Sequence, residues 1–332
     1  MKVFVTRIIP DQGLNLLRGA GHEVFINPDD RVLAKDELIG YLKKDKYDAV
    51  LSLLTDKIDA EVLDAVEESG AKMLANYAVG FDNIDVKAAT ERGIMVANTP
   101  GVLTDSVAEH AFTLMLSIAH RIAESDRFTR AGRYIGWEPM LLLGSDVSKK
   151  VLGIVGLGRI GSRVAHHGVK GFEMKVIYYD VKRSEDFEKE LGVDSTGSPR
   201  AQFRENVDDV FKEADFVSIH VPLLPGTKHL VNLERLRLMK PTAYLVNTSR
   251  GPIIDENALV TALKNNIIRG AAMDVYENEP TLAPGLVELE NVILTPHTAS
   301  ATEETRQAMS KLAAENIIAA LAGSEPPNLV KM

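Results

Sequence analysis

From Val151 to Gly161 the chain reads Val-Leu-Gly-Ile-Val-Gly-Leu-Gly-Arg-Ile-Gly, an apolar run followed by glycines at 156, 158 and 161. This is the spacing G-x-G-x-x-G, placed after a strand-like run and at the start of a helical one, the context that gives the pattern meaning. Gly156 permits a tight turn, Gly158 lets the backbone approach a pyrophosphate, and Gly161 allows close helix–sheet packing. The helix that opens there offers free N–H groups and a positive dipole end to an anion. It is not a P-loop, because Ser162-Arg163 follows Gly161 where Lys and Ser/Thr would be required. Asp180 closes the next strand-like run, Tyr178-Tyr179-Asp180, about 20 residues on. A carboxylate there bonds a ribose 2′-hydroxyl and repels a 2′-phosphate, which favours NAD over NADP, although Lys182 and Arg183 lie nearby.

At 332 residues the chain is long enough for two domains. Short apolar runs alternate with amphipathic segments throughout, the pattern of βαβ units and parallel sheets. In the first third the strand candidates are Lys2–Ile9, Val24–Ile26, Ala49–Leu54, Met73–Ala75 and Ile94–Ala97, with helices over Asp11–Gly19, Lys35–Lys44 and Asp59–Glu68. Val107–Ile122 is helical and too apolar for a surface position. Gly132–Gly144 is irregular and holds the single tryptophan, Trp137. A second alternating set has strands over Val151–Val155, Lys175–Tyr179, Phe216–Val221, Ala243–Asn247, Ala271–Val275 and Val292–Thr295, and helices over Arg159–Lys170, Glu256–Asn265 and Glu303–Ala322. The two halves share a plan, which favours a cleft between them. A net charge of −9 argues against nucleic-acid or anionic-membrane partners. No run reaches the length of a membrane span. With no cysteine there is no disulfide framework or thiol chemistry, as befits a cytoplasmic protein.

Zinc, calcium and nucleophile-elbow motifs are absent, and the adjacent pair His166-His167 cannot present both rings to one metal, so no metal site is expected. His110, within the apolar helix, reads as a core histidine. His220, at a strand end, is open to a structural or a cofactor-facing role. Arg250, Glu279 and His297 each follow a predicted strand of the second half. Ligands in open α/β sheets bind outside the carboxyl ends of strands, so all three are candidates for one site.

Together with the glycine turn, the segments Asn247-Thr248-Ser249-Arg250-Gly251, Asp274-Val275-Tyr276-Glu277-Asn278-Glu279-Pro280 and Thr295-Pro296-His297 resemble the D-isomer-specific 2-hydroxyacid dehydrogenases, over essentially the whole chain and in the family's motif order. The resemblance implies two doubly wound parallel-sheet domains: a flavodoxin-like substrate domain from residues 1–99 and 298–332, and a Rossmann NAD domain from residues 100–297. It implies that Arg250 binds the substrate carboxylate, that His297 is the general acid in reduction and the base in oxidation, and that Glu279 holds the other imidazole nitrogen and favours the charged ring. Cofactor contacts are implied at Thr104, Gly156, Gly158, Arg159, Ile160, Gly161, Asp180, His220, Pro222, Thr227, Thr248, Ser249, Asp274 and His297. The loop Asn76–Asp85 resembles the family's cleft loop, where the amides of Val79 and Gly80 receive the substrate carboxylate. Leu53 would wall the substrate, and Asp82 and Asn83 would cap the following helix.

Gly136-Trp137-Glu138-Pro139 is similar to a segment of the glyoxylate and hydroxypyruvate reductases, in which the tryptophan reaches into the partner subunit's site. Trp137 reads either so or as a packing residue. The resemblance thus implies an NAD-dependent reductase of small 2-oxo acids, a homodimer with its long apolar helix packed across the dimer. The alternatives are a dehydrogenase of another acid such as D-lactate or, from a different class, an NAD(H)-sensing corepressor-like binding protein. Glu279 argues against the formate dehydrogenases, which use Gln there. Val79 argues against the phosphite dehydrogenases, which usually place a lysine there. Thr298-Ala299-Ser300, after His297, departs from the family's usual Ile or Leu then Gly or Ala.

Overall fold

The computed structural model describes residues 1–331. In chain order the elements are β1 (Lys2–Val5), α1 (Asp11–Gly19), β2 (Glu23–Ile26), α2 (Lys35–Lys44), β3 (Ala49–Leu53), α3 (Ala60–Ser69), β4 (Met73–Tyr77), α4 (Val86–Glu91), β5 (Met95–Ala97), α5 (Thr104–Ala119), α6 (Ile122–Arg130), β6 (Val151–Val155), α7 (Arg159–Phe172), β7 (Lys175–Tyr179), α8 (Glu185–Leu191), β8 (Ala201–Phe203), α9 (Val207–Glu213), β9 (Phe216–Ile219), α10 (Leu233–Leu238), β10 (Tyr244–Asn247), α11 (Glu256–Lys264), β11 (Gly270–Met273), β12 (Val292–Leu294) and α12 (Glu303–Leu321), with a 3₁₀ turn at Gly251–Ile253. They form two compact units, one from Met1–Leu103 with the chain from Ala301 onward, the other from Thr104–Ser300.

The first unit is a five-stranded sheet in the order β2-β1-β3-β4-β5, parallel throughout. This is the flavodoxin-like order. Its strands are buried runs such as Val3-Phe4-Val5 and Ala49-Val50-Leu51, as expected where helices cover both faces. Phe4 stacks with Phe25 and Tyr41 on one face. On α1, Gly13 lies against α12 so closely that an added Cβ would stand 2.1 Å from the Ser310 carbonyl oxygen. The Gly13 amide donates to Ser310 Oγ at 3.0 Å, and that hydroxyl donates to the Pro10 carbonyl at 2.6 Å. The last long helix is thereby bound to the first.

The second unit is a seven-stranded sheet, β12-β11-β10-β9-β6-β7-β8, again all parallel. The sequence order reverses at β6, the Rossmann switch point. One apolar cluster includes Val210, Phe211, Leu236, Leu259 and Leu263 of α9, α10 and α11. The other is built by α5 and α7, with Phe112, Met115, Val164 and Val169. α5 is buried along one face, as its apolar character implied. The short elements α6, α8, α9, α10 and β8 were not anticipated from the sequence, whereas α4 is the helix expected after Asn83. α9 and α10 are seven and six residues long and open on the caps Asn206 and Asn232.

Candidate active site

The glycine turn links β6 to α7. Gly156 has φ +97°, and an added Cβ would come within 2.8 Å of the His220 backbone. At Gly161 a Cβ would stand 2.1 Å from the Gly156 carbonyl oxygen, so the helix can seat on the turn only without a side chain. At Gly158, by contrast, a Cβ would meet nothing within 4 Å. The space above Gly158 is a cradle that a side chain would fill and that a ligand's phosphates can use. α7 begins at Arg159 and Ile160 with no side-chain cap on Gly158, so its N-terminal dipole end faces that space. Asp180 reaches back to the turn: Oδ2 accepts from the Leu157 amide at 2.6 Å and Oδ1 from Val181 at 2.7 Å. Arg183 is held by Glu188, with an Nη2–Oε2 distance of 2.7 Å. Thr248 Oγ1 is buried with no hydrogen-bond partner among the described residues, an orphan hydroxyl beside Ser249 and Arg250. A nicotinamide dinucleotide fits this donor set.

After β9, the Thr227 hydroxyl donates to the Pro222 carbonyl at 2.7 Å and accepts from the Leu224 amide, closing the loop 222–227 on itself. His220 places Nε2 2.8 Å from Ser218 Oγ. Burial holds its ring well below the usual histidine range, to about 3, so the ring is neutral. After β10, Asn247 organises the loop: its side-chain nitrogen donates to the Arg250 carbonyl at 3.0 Å and its oxygen accepts from the Ser249 amide at 3.0 Å. Ser249 Oγ donates to the Val221 carbonyl. Gly251 then packs against the peptide joining Tyr276 and Glu277, where a Cβ would lie 1.8 Å from the Tyr276 carbonyl carbon. No other residue type permits this approach, and it draws the Arg250 loop to the turn carrying Glu279.

Glu279 Oε2 is 3.0 Å from His297 Nδ1, and Glu279 Oε1 accepts from the Tyr276 amide at 2.9 Å. Burial alone would push the Glu279 carboxyl up; the bond and charge of His297, the Tyr276 amide and the charge of Arg250 outweigh it and hold it below the usual carboxylate range. His297 has φ +55°, a left-handed conformation rare outside glycine. Its amide donates to the carbonyls of Asp274 (2.9 Å) and Thr295 (3.0 Å). Asp274 is fully buried and accepts from Thr295 Oγ1 at 2.7 Å, the Thr298 amide at 2.8 Å and the Ala299 amide at 2.9 Å. His110 lies 3.4 Å from the same carboxylate, so the core histidine is satisfied by Asp274 and Thr295. Arg250, Glu279 and His297 thus converge in one unit, behind the carboxyl ends of β10, β11 and β12.

A sequence profile described as the NAD-binding domain of the D-isomer-specific 2-hydroxyacid dehydrogenases matches residues 112–299. The chain belongs to the D-isomer-specific 2-hydroxyacid dehydrogenase family. It is 49% identical to the glyoxylate reductase of Korarchaeum cryptofilum, over 99% of this chain and 95% of the relative. It is 48% identical to that of Thermofilum pendens, over 99% and 94%. Among solved structures it is similar to the NADPH-dependent glyoxylate/hydroxypyruvate reductase of Sinorhizobium meliloti, in complex with NADP and malonate, at a TM-score of 0.83 and 30% identity over 99% of this chain and 96% of that one. As a family member the chain is an oxidoreductase that uses a nicotinamide dinucleotide.

In the dehydrogenase's first unit, the loop after β4 is tied down by asparagines. Asn76 Nδ2 donates to the Gly80 carbonyl at 2.8 Å, and Asn98 Nδ2 to the Val79 carbonyl at 2.8 Å. Asn83 does not cap α4; Asp85 does, accepting from the Ala88 amide at 2.9 Å. Asn83 Nδ2 instead donates to the carbonyls of Leu53 (3.1 Å) and Asp56 (3.0 Å). It joins the Leu53 loop to the Val79–Gly80 loop. Trp137 is 81% exposed, and Thr104 opens α5 half-buried. Asn76 and Asn247 were missed as supporting residues, because their partners are carbonyls and amides that no motif marks.

Burial alone would raise the Asp274 carboxyl, but its bonds from His110, Thr295, Thr298 and Ala299 outweigh this and leave it below the usual range. A depressed folded value means that its stabilisation is full above the unfolded carboxylate range, about pH 4, and is lost as pH falls through the folded value. Asp274→Asn should therefore cost about 2–4 kcal/mol in urea unfolding at pH 7. The gap from wild type should narrow below about pH 4. Equal stability at pH 7 would refute this account.

Proposed function

We propose that the enzyme reduces a small 2-oxo acid, glyoxylate or hydroxypyruvate, to the D-2-hydroxy acid with NADH. The observation that carries this reading is the His297–Glu279 pair at 3.0 Å beside the Arg250 loop. The relatives named glyoxylate reductase support the substrate class. Arg250 binds the substrate carboxylate through its planar fork and polarises the adjacent carbonyl. His297 donates its proton to the carbonyl oxygen as the carbon is reduced. Glu279, ionised at neutral pH, keeps Nδ1 protonated and the ring oriented, leaving Nε2 for substrate. The cofactor's pyrophosphate would be held by the turn at Gly156, Gly158 and Gly161 and the start of α7 at Arg159 and Ile160, its ribose by Asp180, and its nicotinamide end by Thr104, Thr248 and Ser249; Asp274, fully buried on protein donors, supports the site through the 295–299 turn. His220, Pro222 and Thr227 form the adjoining wall. When bound, the reduced nicotinamide supplies the hydride.

NAD is favoured over NADP because Asp180 would face a 2′-phosphate while Arg183 is engaged by Glu188. The enzyme acts as a homodimer. Around the irregular segment after α6 it exposes large apolar side chains that a second copy would cover, with Ile135 90%, Trp137 81% and Met140 75% exposed. Among the described residues no helix is long and apolar enough to cross a membrane. A cytoplasmic location belongs to the same reading and fits a chain without cysteine.

His297→Asn should lower kcat for glyoxylate by about 10²–10⁴-fold while NADH binding, followed by fluorescence, is kept; unchanged turnover sinks the acid/base role. Asp180→Ala should relax the NADH preference in paired kcat/KM measurements, and a wild-type enzyme that already prefers NADPH contradicts the reading of Asp180. Sedimentation should show a dimer, and Trp137→Ala should raise KM for glyoxylate. A monomer of full activity excludes any partner contribution.

A further inference from the structure

Glu279 occupies a turn, and the turn is held by a carboxylate that the reading above leaves without a role. Glu256, the first residue of α11, is 2% exposed. Its Oε1 accepts from the Glu277 amide at 2.6 Å and its Oε2 from the Ala283 amide at 3.1 Å. The two bonds bracket the segment 278–282, which is closed by the Thr281 amide on the Asn278 carbonyl at 2.8 Å. The Glu277 side chain returns the contact, with Oε2 accepting from the Glu256 amide at 3.3 Å and Oε1 2.6 Å from His229 Nε2. The His229 amide donates to the Pro252 carbonyl at 2.9 Å, two residues past Arg250. Gly251 lies against the same Tyr276–Glu277 peptide.

We infer that Glu256 is a positioning residue for Glu279, its carboxylate setting the turn from which Glu279 reaches His297. This rests on the reading of Glu279 and His297 as a working pair. An acid at the start of a helix has an ordinary explanation in the dipole, but that explanation asks for exposure to the helix amides, not for two bonds to another loop. The chemistry requires both oxygens. Glutamine offers one acceptor, and its NH₂ would face an amide N–H. Aspartate is one methylene shorter and cannot span both amides. Displacing the turn shifts Glu279 relative to His297, and misplacement on that scale affects turnover more than substrate affinity.

The test uses the full-length enzyme labelled with ¹⁵N-histidine, with the His297 signal assigned through His297→Asn. Glu256→Gln should move the His297 Nδ1 resonance toward its position in Glu279→Gln. It should lower kcat for glyoxylate and NADH about tenfold, with KM changed less than about twofold. In the double variant Glu256→Gln/Glu279→Gln the resonance and kcat should match Glu279→Gln alone. A folded Glu256→Gln enzyme that binds NADH normally and keeps the wild-type His297 resonance overturns the inference. So does a kcat loss that persists undiminished in the Glu279→Gln background. Should Glu256→Gln not fold, Glu256→Asp decides: an intermediate resonance supports the inference and a wild-type one overturns it. A wild-type enzyme inert toward glyoxylate would sink the substrate reading, while the resonance shift still judges Glu256.

Discussion

Asp274 is charged and has no exposure to water, and a buried charge persists only when its lone pairs find donors. Here the donors come from α5, through His110, and from the turn after β12, through Thr295, Thr298 and Ala299. Satisfying that carboxylate therefore specifies the path of the chain between 295 and 299. His297 lies in the middle of this path, its amide bonded to the Asp274 carbonyl and its φ held positive. A left-handed non-glycine residue costs of the order of 1 kcal/mol or more. It is kept because the bonds on either side over-determine it. The imidazole faces Glu279 as a consequence.

Backbone contact does the rest of the assembly. Gly251 and Gly161 each sit where a single extra carbon would overlap a neighbouring peptide, and both lie beside groups assigned to substrate or cofactor. Gly158 shows the opposite case: its surroundings are open, and the absent side chain leaves room for a ligand instead of a neighbouring peptide. In the first unit asparagine side chains play the corresponding role. Asn76, Asn83 and Asn98 bind carbonyls of the loops at Leu53 and at Val79 and Gly80, and so set which way the loop backbone faces.

Much of this was legible in the chain. The long apolar runs at Val151–Val155 and Ala49–Leu53 are strands buried on both faces, and such runs announce themselves by composition. The glycine spacing and Asp180 marked the candidate cofactor turn. Arg250, Glu279 and His297 stood out because each follows a strand. The short helices α8, α9 and α10 were not legible, since six or seven residues hold too few turns for a periodic signal. The strand expected over Lys2–Ile9 ends at Val5, where Thr6 turns its hydroxyl to buried Asp56. α6 lay beyond the helix expected to end at Ile122, because Arg121 adopts a left-handed conformation between two helical segments.

The sequence by itself determined the class of fold, the position of the candidate dinucleotide turn and the identity of the three candidate catalytic side chains. These depend on local periodicity and on residue types that only a few chemical tasks require. Only the tertiary structure decided that Glu256 holds the Glu279 turn, that Asn83 joins two loops instead of capping a helix, and that His110 belongs to the Asp274 network. Those are hydrogen bonds between groups 21 to 164 residues apart, many of them to backbone atoms that every residue carries. A partner of that kind leaves no mark in the chain, because which amide meets which carboxylate is settled by how the sheets and helices pack.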